Sequence, residues 1–207
     1  MTHSFDKNYW DRTWSGERAP GMSSGDPNPH LVHETGGLVP GMALDAGCGA
    51  GAEAIWLAAQ GWDVTGADVA DAALGYAKDR AAAAGVADRV RWVQADLSVW
   101  EPDTQFDLVT THYAHPATGQ LEFYDRIASW VAPGGTLLIV GHLHQHSSAG
   151  DTHPPATASA TAAAITDRLD PAVWEIIMAE ESHRFVIGPG GRPNAIDDVI
   201  VRALRRV

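Results

Sequence analysis

Cysteine occurs once in this chain of 207 residues, at Cys48. A monomer therefore has neither a disulfide framework nor a cysteine-based zinc site. Lysine and arginine number 14 against 26 aspartates and glutamates, a formal charge of −12. This balance disfavours binding to nucleic acid or to an anionic membrane, so a small molecule is the expected ligand. No apolar run reaches membrane-spanning length and residues 1–7 are polar, which predicts a cytoplasmic protein without a signal peptide.

Strand-like and helix-like segments alternate along the chain from Met42. Repeated β-α units produce a parallel sheet with helices on both faces, and ligands bind at the carboxyl ends of its strands where the strand order reverses. A short helix is also expected from Pro29 to Gly36. The predicted strands are 42–46, 62–67, 89–95, 106–111 and 136–142, and the predicted helices are about 52–60, 70–84 and 118–130. After a further helix to about residue 169, strands 174–184 and 198–206, joined by the turn 188–191, are expected to pair antiparallel.

The glycine-rich stretch at residues 43–51, ALDAGCGAG, predicts a strand, a tight turn and the start of a helix. Its three glycines leave no β-carbon between the backbone and a ligand, and the helix start offers unpaired N–H groups. The spacing also satisfies the loose dinucleotide fingerprint. Asp68, after the second strand, suits a ribose of either cofactor. These features alone leave NAD and S-adenosylmethionine open.

Two further carboxylates favour S-adenosylmethionine. Asp45 stands two places before the first glycine, where it would repel a pyrophosphate but pair with a cationic ammonium group. Asp96 follows the third strand, where it can accept a hydrogen bond from an adenine amino group. A dinucleotide oxidoreductase therefore becomes the weaker enzymatic alternative.

These positions resemble the class I S-adenosylmethionine-dependent methyltransferases over about residues 27–142. In that family the D-x-G-x-G turn holds the methionine end of the cofactor, the acid after the second strand holds the ribose, and an Asp with an apolar residue after the third holds adenine. The resemblance implies an α/β, three-layer Rossmann-like fold with a mostly parallel seven-stranded sheet and an antiparallel edge strand. It implies cofactor contacts from Trp10, Arg12, Trp14, Asp45, Gly47, Gly49, Asp68, Val69, Asp96, Leu97 and Thr111.

We expect a single methyltransferase domain over residues 1–207. Its parts are an N-terminal cofactor or substrate lid at 1–40, a cofactor-binding core at 41–142, an acceptor loop at 143–156, and a C-terminal helix with closing strands at 157–207. Two roles are open for the N-terminal aromatic residues. As a lid, Arg12 would pair with the methionine carboxylate and a tryptophan would cover the sulfonium or adenine. Alternatively, the aromatic residues fasten an N-terminal helix to the sheet edge.

Histidines cluster after the fourth and fifth strands, beside the expected position of the transferred methyl group. Imidazole titrates near neutral pH, so a histidine there can take the proton of an alcohol acceptor. We predict His144 as the general base, and His112, Tyr113, His115 and His142 as substrate-binding residues. A metal alternative, completed by Asp151 or His153, is weaker because extended spacing in a loop does not fix ligand geometry. No metal is predicted.

The histidines favour O-methylation of a small polar acceptor, such as a sugar hydroxyl, because a soft thiolate-like acceptor needs no base. The chain also resembles the tellurite-resistance and thiopurine-methyltransferase-like branch, which implies the alternative of sulfur, selenium or tellurium methylation. A fainter resemblance is to methyltransferases that act on sugar hydroxyls of methylated polysaccharides. A non-catalytic cofactor-binding partner protein is the alternative of another class, although the complete set of cofactor positions weighs against it. The expected assembly is a monomer or homodimer.

Overall fold

The computed structural model describes residues 5–17, 19–143, 159–187 and 193–207. Its helices are α1 (Lys7–Ser15), α2 (Ala19–Ser23), α3 (Pro29–Thr35), α4 (Ala52–Ala59), α5 (Asp71–Ala83), α6 (Gln120–Ala128) and α7 (Ala162–Thr166). Its strands are β1 (Met42–Ala46), β2 (Asp63–Asp68), β3 (Val90–Gln94), β4 (Phe106–His112), β5 (Val131–His142), β6 (Trp174–Ile187) and β7 (Pro193–Arg205). No helix in these ranges is both long and apolar enough to cross a membrane.

The described strands form one seven-stranded sheet in the order β3-β2-β1-β4-β5-β7-β6. Strands β1 to β5 are parallel, whereas β7 pairs antiparallel with both β5 and β6. This confirms the predicted α/β fold with an antiparallel edge. The chain runs outward from β1 in one direction and from β4 in the other, so the strand order reverses between them. Ligands of open α/β sheets bind at the carboxyl ends of the strands beside such a reversal.

Helix starts follow local sequence signals. The Asp6 carboxylate accepts the Tyr9 N–H at 2.9 Å and caps α1. Asn28 caps α3 in the same way, and the next residue is a proline, whose fixed φ suits the first helical position. Thr161 caps α7 through its hydroxyl. A capping side chain followed by helix-forming residues therefore explains where these three helices begin.

Several predicted element bounds differ from the structure. Strand β5 begins at Val131 rather than at residue 136, because its pairing with β4 continues through the Pro-Gly-Gly segment by way of an irregularity between Phe106 and Leu108. Helix α7 ends at Thr166, three residues before the predicted end, while Leu169 lies buried in the core beyond it. Strands β6 and β7 are longer than predicted, and their predicted turn at 188–191 lies outside the described residues.

Apolar side chains cover both faces of the sheet. Neighbouring residues along a strand point to opposite faces, so Leu137 belongs to the core cluster that includes residues of α6 and α7, while Leu138 belongs to the cluster that includes residues of α3 and α4. Helices thus occupy both faces, as the β-α alternation predicts. Since both faces of the sheet are covered, polar groups converge at the carboxyl ends of the strands.

We expect Gly66→Ala to destabilise the protein by about 2 kcal/mol, because an added Cβ would lie 2.5 Å from Trp92 Cζ3 in a filled core. Gly75→Ala is the matched control, since Gly75 lies exposed within α5 and its Cβ would meet nothing within 4 Å. That substitution should stabilise the helix by about 0.5–1 kcal/mol. Urea unfolding of both variants measures the two effects. Equal effects would contradict this packing explanation.

Candidate functional site

The glycine turn after β1 is a strained bend fitted closely to its surroundings. Gly47 has a φ of +81° and Gly49 a φ of +51°, a region that residues with a Cβ rarely adopt. The Gly47 N–H donates to Ala67 O at 2.8 Å, which ties the turn to the end of β2. A Cβ on Gly47 would lie 2.4 Å from the Ala114 Cβ. The two glycines therefore give the backbone a conformation and a close approach that larger residues would prevent.

Asp68 fastens the same turn from the neighbouring strand. Its Oδ2 accepts the Gly49 N–H at 2.8 Å and its Oδ1 accepts the Ala70 N–H at 2.9 Å. Burial raises the pKa of this carboxyl above its ordinary value, although the backbone N–H groups oppose the shift. Each carboxylate oxygen can accept a second hydrogen bond. Asp68 thus holds the turn in shape and retains acceptor capacity for hydroxyl groups.

Asp45 lies near the carboxyl end of β1, immediately before the turn, and is almost wholly buried, at 1% exposure. Its Oδ2 atom is buried and accepts no hydrogen bond from the residues that the structure describes. Burial raises the pKa of this carboxyl well above its ordinary value, and the nearby Glu53 and Asp68 raise it further. A buried carboxylate with an unused acceptor indicates that a donor, preferably a cationic one, belongs beside it.

Asp96 and Leu97 follow β3 at the same edge of the sheet. The exposed Asp96 carboxylate accepts the N–H and the hydroxyl of Ser98 through Oδ1, at 2.9 and 2.6 Å. Leu97 is buried in the core, and its carbonyl accepts the Arg126 Nε–H at 2.9 Å. The Val69 carbonyl, after β2, accepts from Gln94 Nε2 at 3.4 Å. The acidic residues predicted to hold the cofactor thus follow three strands that are adjacent in the sheet.

Two N-terminal tryptophans pack at the carboxyl edge of the sheet, one beside the glycine turn and one beside His115. Trp14 is buried beside the glycine turn, where its indole would lie 3.1 Å from a Cβ on Gly49. Trp10 donates from Nε1 to His115 O at 3.2 Å, while Arg12 is exposed. Trp14 therefore fits the fastening role that the sequence left open. Cofactor contacts from Trp10, Arg12 and Trp14 remain predictions.

Thr111 lies in β4 with its side chain directed at the neighbouring strand. Its hydroxyl donates to Ala46 O at 2.7 Å, and the residue is buried. This hydrogen bond fixes the carboxyl end of β1 immediately before the glycine turn. Thr111 thus supports the turn from within the sheet, and the predicted direct contact with the cofactor remains untested.

A row of stacked rings extends from the ends of β4 and β5 to the N-terminal segment. Tyr113 and His142 lie 4.1 Å apart between ring centroids at an interplanar angle of 17°. His115 stacks beyond His142 at 5.9 Å, and Phe5 stacks on His115 at 5.0 Å. The structure therefore brings together three of the four predicted substrate-binding residues. We call this row of rings the acceptor wall, because it lies at the ends of β4 and β5, where the sequence predicts that the acceptor binds.

A buried polar network that sequence reasoning missed holds Tyr113 in this wall. The Tyr113 hydroxyl donates to Asp198 Oδ1 at 2.8 Å and accepts from Arg184 Nη2 at 2.7 Å. Arg184 Nε donates to Asp198 Oδ2 at 2.5 Å, and His30 Nε2 lies 3.4 Å from the same oxygen. Tyr113 also adopts a φ of +55°, uncommon for a residue with a bulky side chain. Strands β6 and β7 thus fix an aromatic side chain beside the candidate site.

His112, the fourth predicted substrate-binding residue, is the last residue of β4 and directly precedes Tyr113 in the chain. Its Nε2 lies 3.5 Å from the Thr110 hydroxyl, and burial, with a smaller effect from His30, lowers the pKa of its imidazole to about 3. The ring is therefore neutral at physiological pH. Its Nδ1 is buried and has no hydrogen-bond partner among the described residues. With this lowered pKa the imidazole of His112 is a weak base, and its contact with the substrate remains a prediction.

The predicted base His144 lies outside the described residues, as do His146, Asp151 and His153 of the metal alternative. Within the described ranges, no group of three or more histidine, cysteine, aspartate or glutamate side chains could hold a metal ion. The base assignment therefore remains a prediction from the sequence.

Comparison with known proteins adds independent information. Residues 43–135 match a family model described as a methyltransferase domain. The chain is 28% identical over 136 residues to a probable thiol methyltransferase 2 of Arabidopsis thaliana, covering 63% of this chain and 60% of that protein. It is 33% identical over 136 residues to a ubiquinone biosynthesis O-methyltransferase of Pseudomonas paraeruginosa, covering 63% and 56%. The chain therefore spans less than two thirds of the length of these curated relatives.

Solved structures share the fold. One, described as "Conversion of a Disulfide Bond into a Thioacetal Group during Echinomycin Biosynthesis", is 25% identical with a TM-score of 0.72, covering 97% of this chain and 91% of that chain. Another is a SAM-dependent methyltransferase from Geobacter sulfurreducens in complex with S-adenosyl-L-homocysteine. It is 27% identical with a TM-score of 0.55, covering 69% and 58%.

Proposed function

Because the chain belongs to the class I S-adenosylmethionine-dependent methyltransferases and uses S-adenosylmethionine as its cofactor, we propose that it methylates the sulfur atom of a small thiol. The relatives described above include a protein named as a thiol methyltransferase. A sulfur acceptor was the alternative in the sequence-based prediction, and the geometry of the acceptor side favours it over a hydroxyl.

The residues of the turn fit this cofactor. Asp45 presents a buried, unused carboxylate oxygen, which suits the ammonium group of the methionine moiety. Asp68 retains acceptor capacity for the ribose hydroxyls, and Asp96 suits the adenine amino group. The cofactor, when bound, supplies an electrophilic methyl group on a sulfonium sulfur. The protein's part is to hold the acceptor atom in line with that methyl group and exclude water.

The observation that carries the proposal is the state of Tyr113, in the acceptor wall, and of His112, the residue before it in the chain. The Tyr113 hydroxyl is engaged by Asp198 and Arg184, and burial raises its pKa to about 12. His112 is neutral and hydrogen-bonds toward Thr110. Neither residue is arranged to take a proton from an acceptor. A thiol, with an ordinary pKa near 8.5, forms a reactive thiolate without a strong base, whereas an alcohol does not.

The stacked rings also suit a sulfur acceptor. Tyr113, His142, His115 and Phe5 provide a flat, polarizable wall. Sulfur makes favourable contacts with aromatic rings, worth roughly 0.3–1.5 kcal/mol each. The wall can therefore position a small thiol by contact alone, and alignment is the main requirement for an in-line displacement.

The test is the rate of S-adenosylhomocysteine release with thiophenol and with phenol, a matched pair that differs only in the acceptor atom. We expect kcat/KM to be at least about 100-fold higher for thiophenol, which corresponds to about 3 kcal/mol in the transition state. Release without acceptor is the control. A preference for phenol would overturn the proposal.

O-methylation with a histidine base is the second candidate. The O-methyltransferase relative and the position of His142 in the acceptor wall favour it. A preference for phenol, with a rate that rises through the pKa of an imidazole, would support this candidate. In either case a small-molecule acceptor, a cytoplasmic location and a monomer or homodimer remain predictions from the sequence.

A further inference from the structure

Glu53 stands beside Asp45 but belongs to none of the positions that the glycine motif identifies. It lies in the first turn of α4, a helix that packs against β1, the strand that carries Asp45. Its Oε1 accepts the Asn28 N–H at 3.0 Å. The two carboxylates therefore approach each other from the end of β1 and the start of α4.

Neutralisation of this pair by the protein is incomplete. Arg80 is the nearby cation, but its guanidinium donates to two carbonyl oxygens, Ala50 O at 3.1 Å and Gly25 O at 2.7 Å. Within the described ranges it makes no ion pair with Glu53 or Asp45. The helix N-terminus and two backbone N–H groups offset part of the negative charge. Asp45 Oδ2 nevertheless remains buried without a partner.

A buried, unpaired carboxylate beside a second carboxylate is unfavourable unless a cation joins them. Burial raises the pKa of both groups, and their mutual repulsion raises that of Asp45 further. An ammonium group carries one positive charge and three donors, enough to serve two carboxylates at once. The cofactor's methionine moiety carries such a group.

We propose that Glu53 and Asp45 together form the binding site for the ammonium group of the cofactor, with Asp45 Oδ2 and the Glu53 carboxylate as its acceptors. Glu53 is then a cofactor-binding residue, additional to the three acids of the motif positions. The assignment concerns the cofactor alone, so it is independent of the acceptor atom proposed above.

The experiment is calorimetric titration of the wild-type protein and Glu53→Gln with two ligands. S-adenosylhomocysteine carries the ammonium group, whereas 5′-methylthioadenosine shares the nucleoside and sulfur but has no ammonium group. Glutamine keeps an oxygen that can accept the Asn28 N–H, so the substitution removes mainly the charge. We expect the affinity for S-adenosylhomocysteine to fall about tenfold or more, and that for 5′-methylthioadenosine to stay within about twofold.

Asp71→Asn is the matched control, because Asp71 is also an acid in the first turn of a helix that follows a strand of the sheet. It should change neither affinity. An equal loss for both ligands in Glu53→Gln would overturn the proposal and assign Glu53 to holding the start of α3. No loss for either ligand would overturn it as well.

Thermal unfolding establishes whether Glu53→Gln is folded. If this variant unfolds at the titration temperature, the titrations are made with Glu53→Asp. Aspartate keeps the charge but is one methylene shorter, so its carboxylate lies farther from the proposed ammonium site. The same selective loss of S-adenosylhomocysteine affinity is then expected, and equal losses for the two ligands would again contradict the proposal.

Discussion

Asp45→Asn should weaken S-adenosylhomocysteine binding at least about 100-fold while stabilising the protein without cofactor by about 1–2 kcal/mol at neutral pH. The loss follows from removing a buried charge that faces the ammonium group. The gain follows from removing the same charge when nothing neutralises it, because Asp45 is 1% exposed and its Oδ2 has no partner among the described residues. Calorimetry measures the first effect and urea unfolding the second.

The stability gain should depend on pH, with a sign set by the raised pKa of Asp45. A carboxyl whose pKa is higher in the folded state binds a proton more readily there. It favours folding below its ordinary pKa of 3.8, and this contribution is lost as the pH rises through the raised value. The difference between wild type and Asp45→Asn should therefore shrink toward pH 4 and grow as the pH rises toward the raised value. Asp63→Asn, on the exposed start of β2, is the control and should show neither effect.

A gain that is the same at every pH would contradict the electrostatic explanation. A variant that binds S-adenosylhomocysteine as tightly as the wild type would remove Asp45 from the cofactor site. A substitution that weakens binding but raises stability is expected where a charge in a ligand site is unfavourable until the ligand neutralises it.

Asp198→Ala should destabilise the protein by about 3 kcal/mol and lower turnover about tenfold. Asp198 is fully buried and joins Arg184, the Tyr113 hydroxyl and His30. Its removal leaves a partly buried guanidinium and a phenol without their shared acceptor. Tyr113 is then free to leave the strained conformation in which it stacks on His142, so the acceptor wall loses its shape. Urea unfolding and steady-state kinetics check the two effects.

Asp197→Ala is the matched control, because the neighbouring carboxylate pairs with His183, whose side chain is about half exposed. Exposed pairs contribute roughly 0–1 kcal/mol, so this variant should lose less than about 1 kcal/mol and keep its turnover. Similar losses at the two positions would show that the network does not hold the wall. If Asp198→Ala lost much stability but kept its turnover, the network would stabilise the fold without shaping the acceptor wall.

The parts of the fold that could be predicted are those specified by neighbouring residues. The glycine turn, the start of α3 at Pro29, and the alternation of β1 to β5 with helices are local patterns. The three acids follow three strands, and the parallel topology alone brings the ends of those strands together. Identifying the fold and the cofactor therefore required no knowledge of long-range contacts.

The parts that were missed depend on contacts between distant segments. Tyr113 and Asp198 are 85 positions apart, and nothing near either residue in the sequence signals their hydrogen bond. The antiparallel pairing of β5 and β7, which places Asp198 opposite His142, was predicted only as a general sheet edge. Glu53 was overlooked because a first-turn glutamate is common in any helix, and only its closeness to Asp45 distinguishes it.

A crystal structure of the protein with S-adenosylhomocysteine tests the central claim, that acids at the ends of β1, β2 and β3 hold the cofactor. The predicted result places the ligand ammonium within hydrogen-bond distance of Asp45 Oδ2, the ribose hydroxyls at Asp68 and the adenine amino group at Asp96. A ligand bound elsewhere, or an Asp45 Oδ2 that still lacks a partner in the complex, would contradict the account.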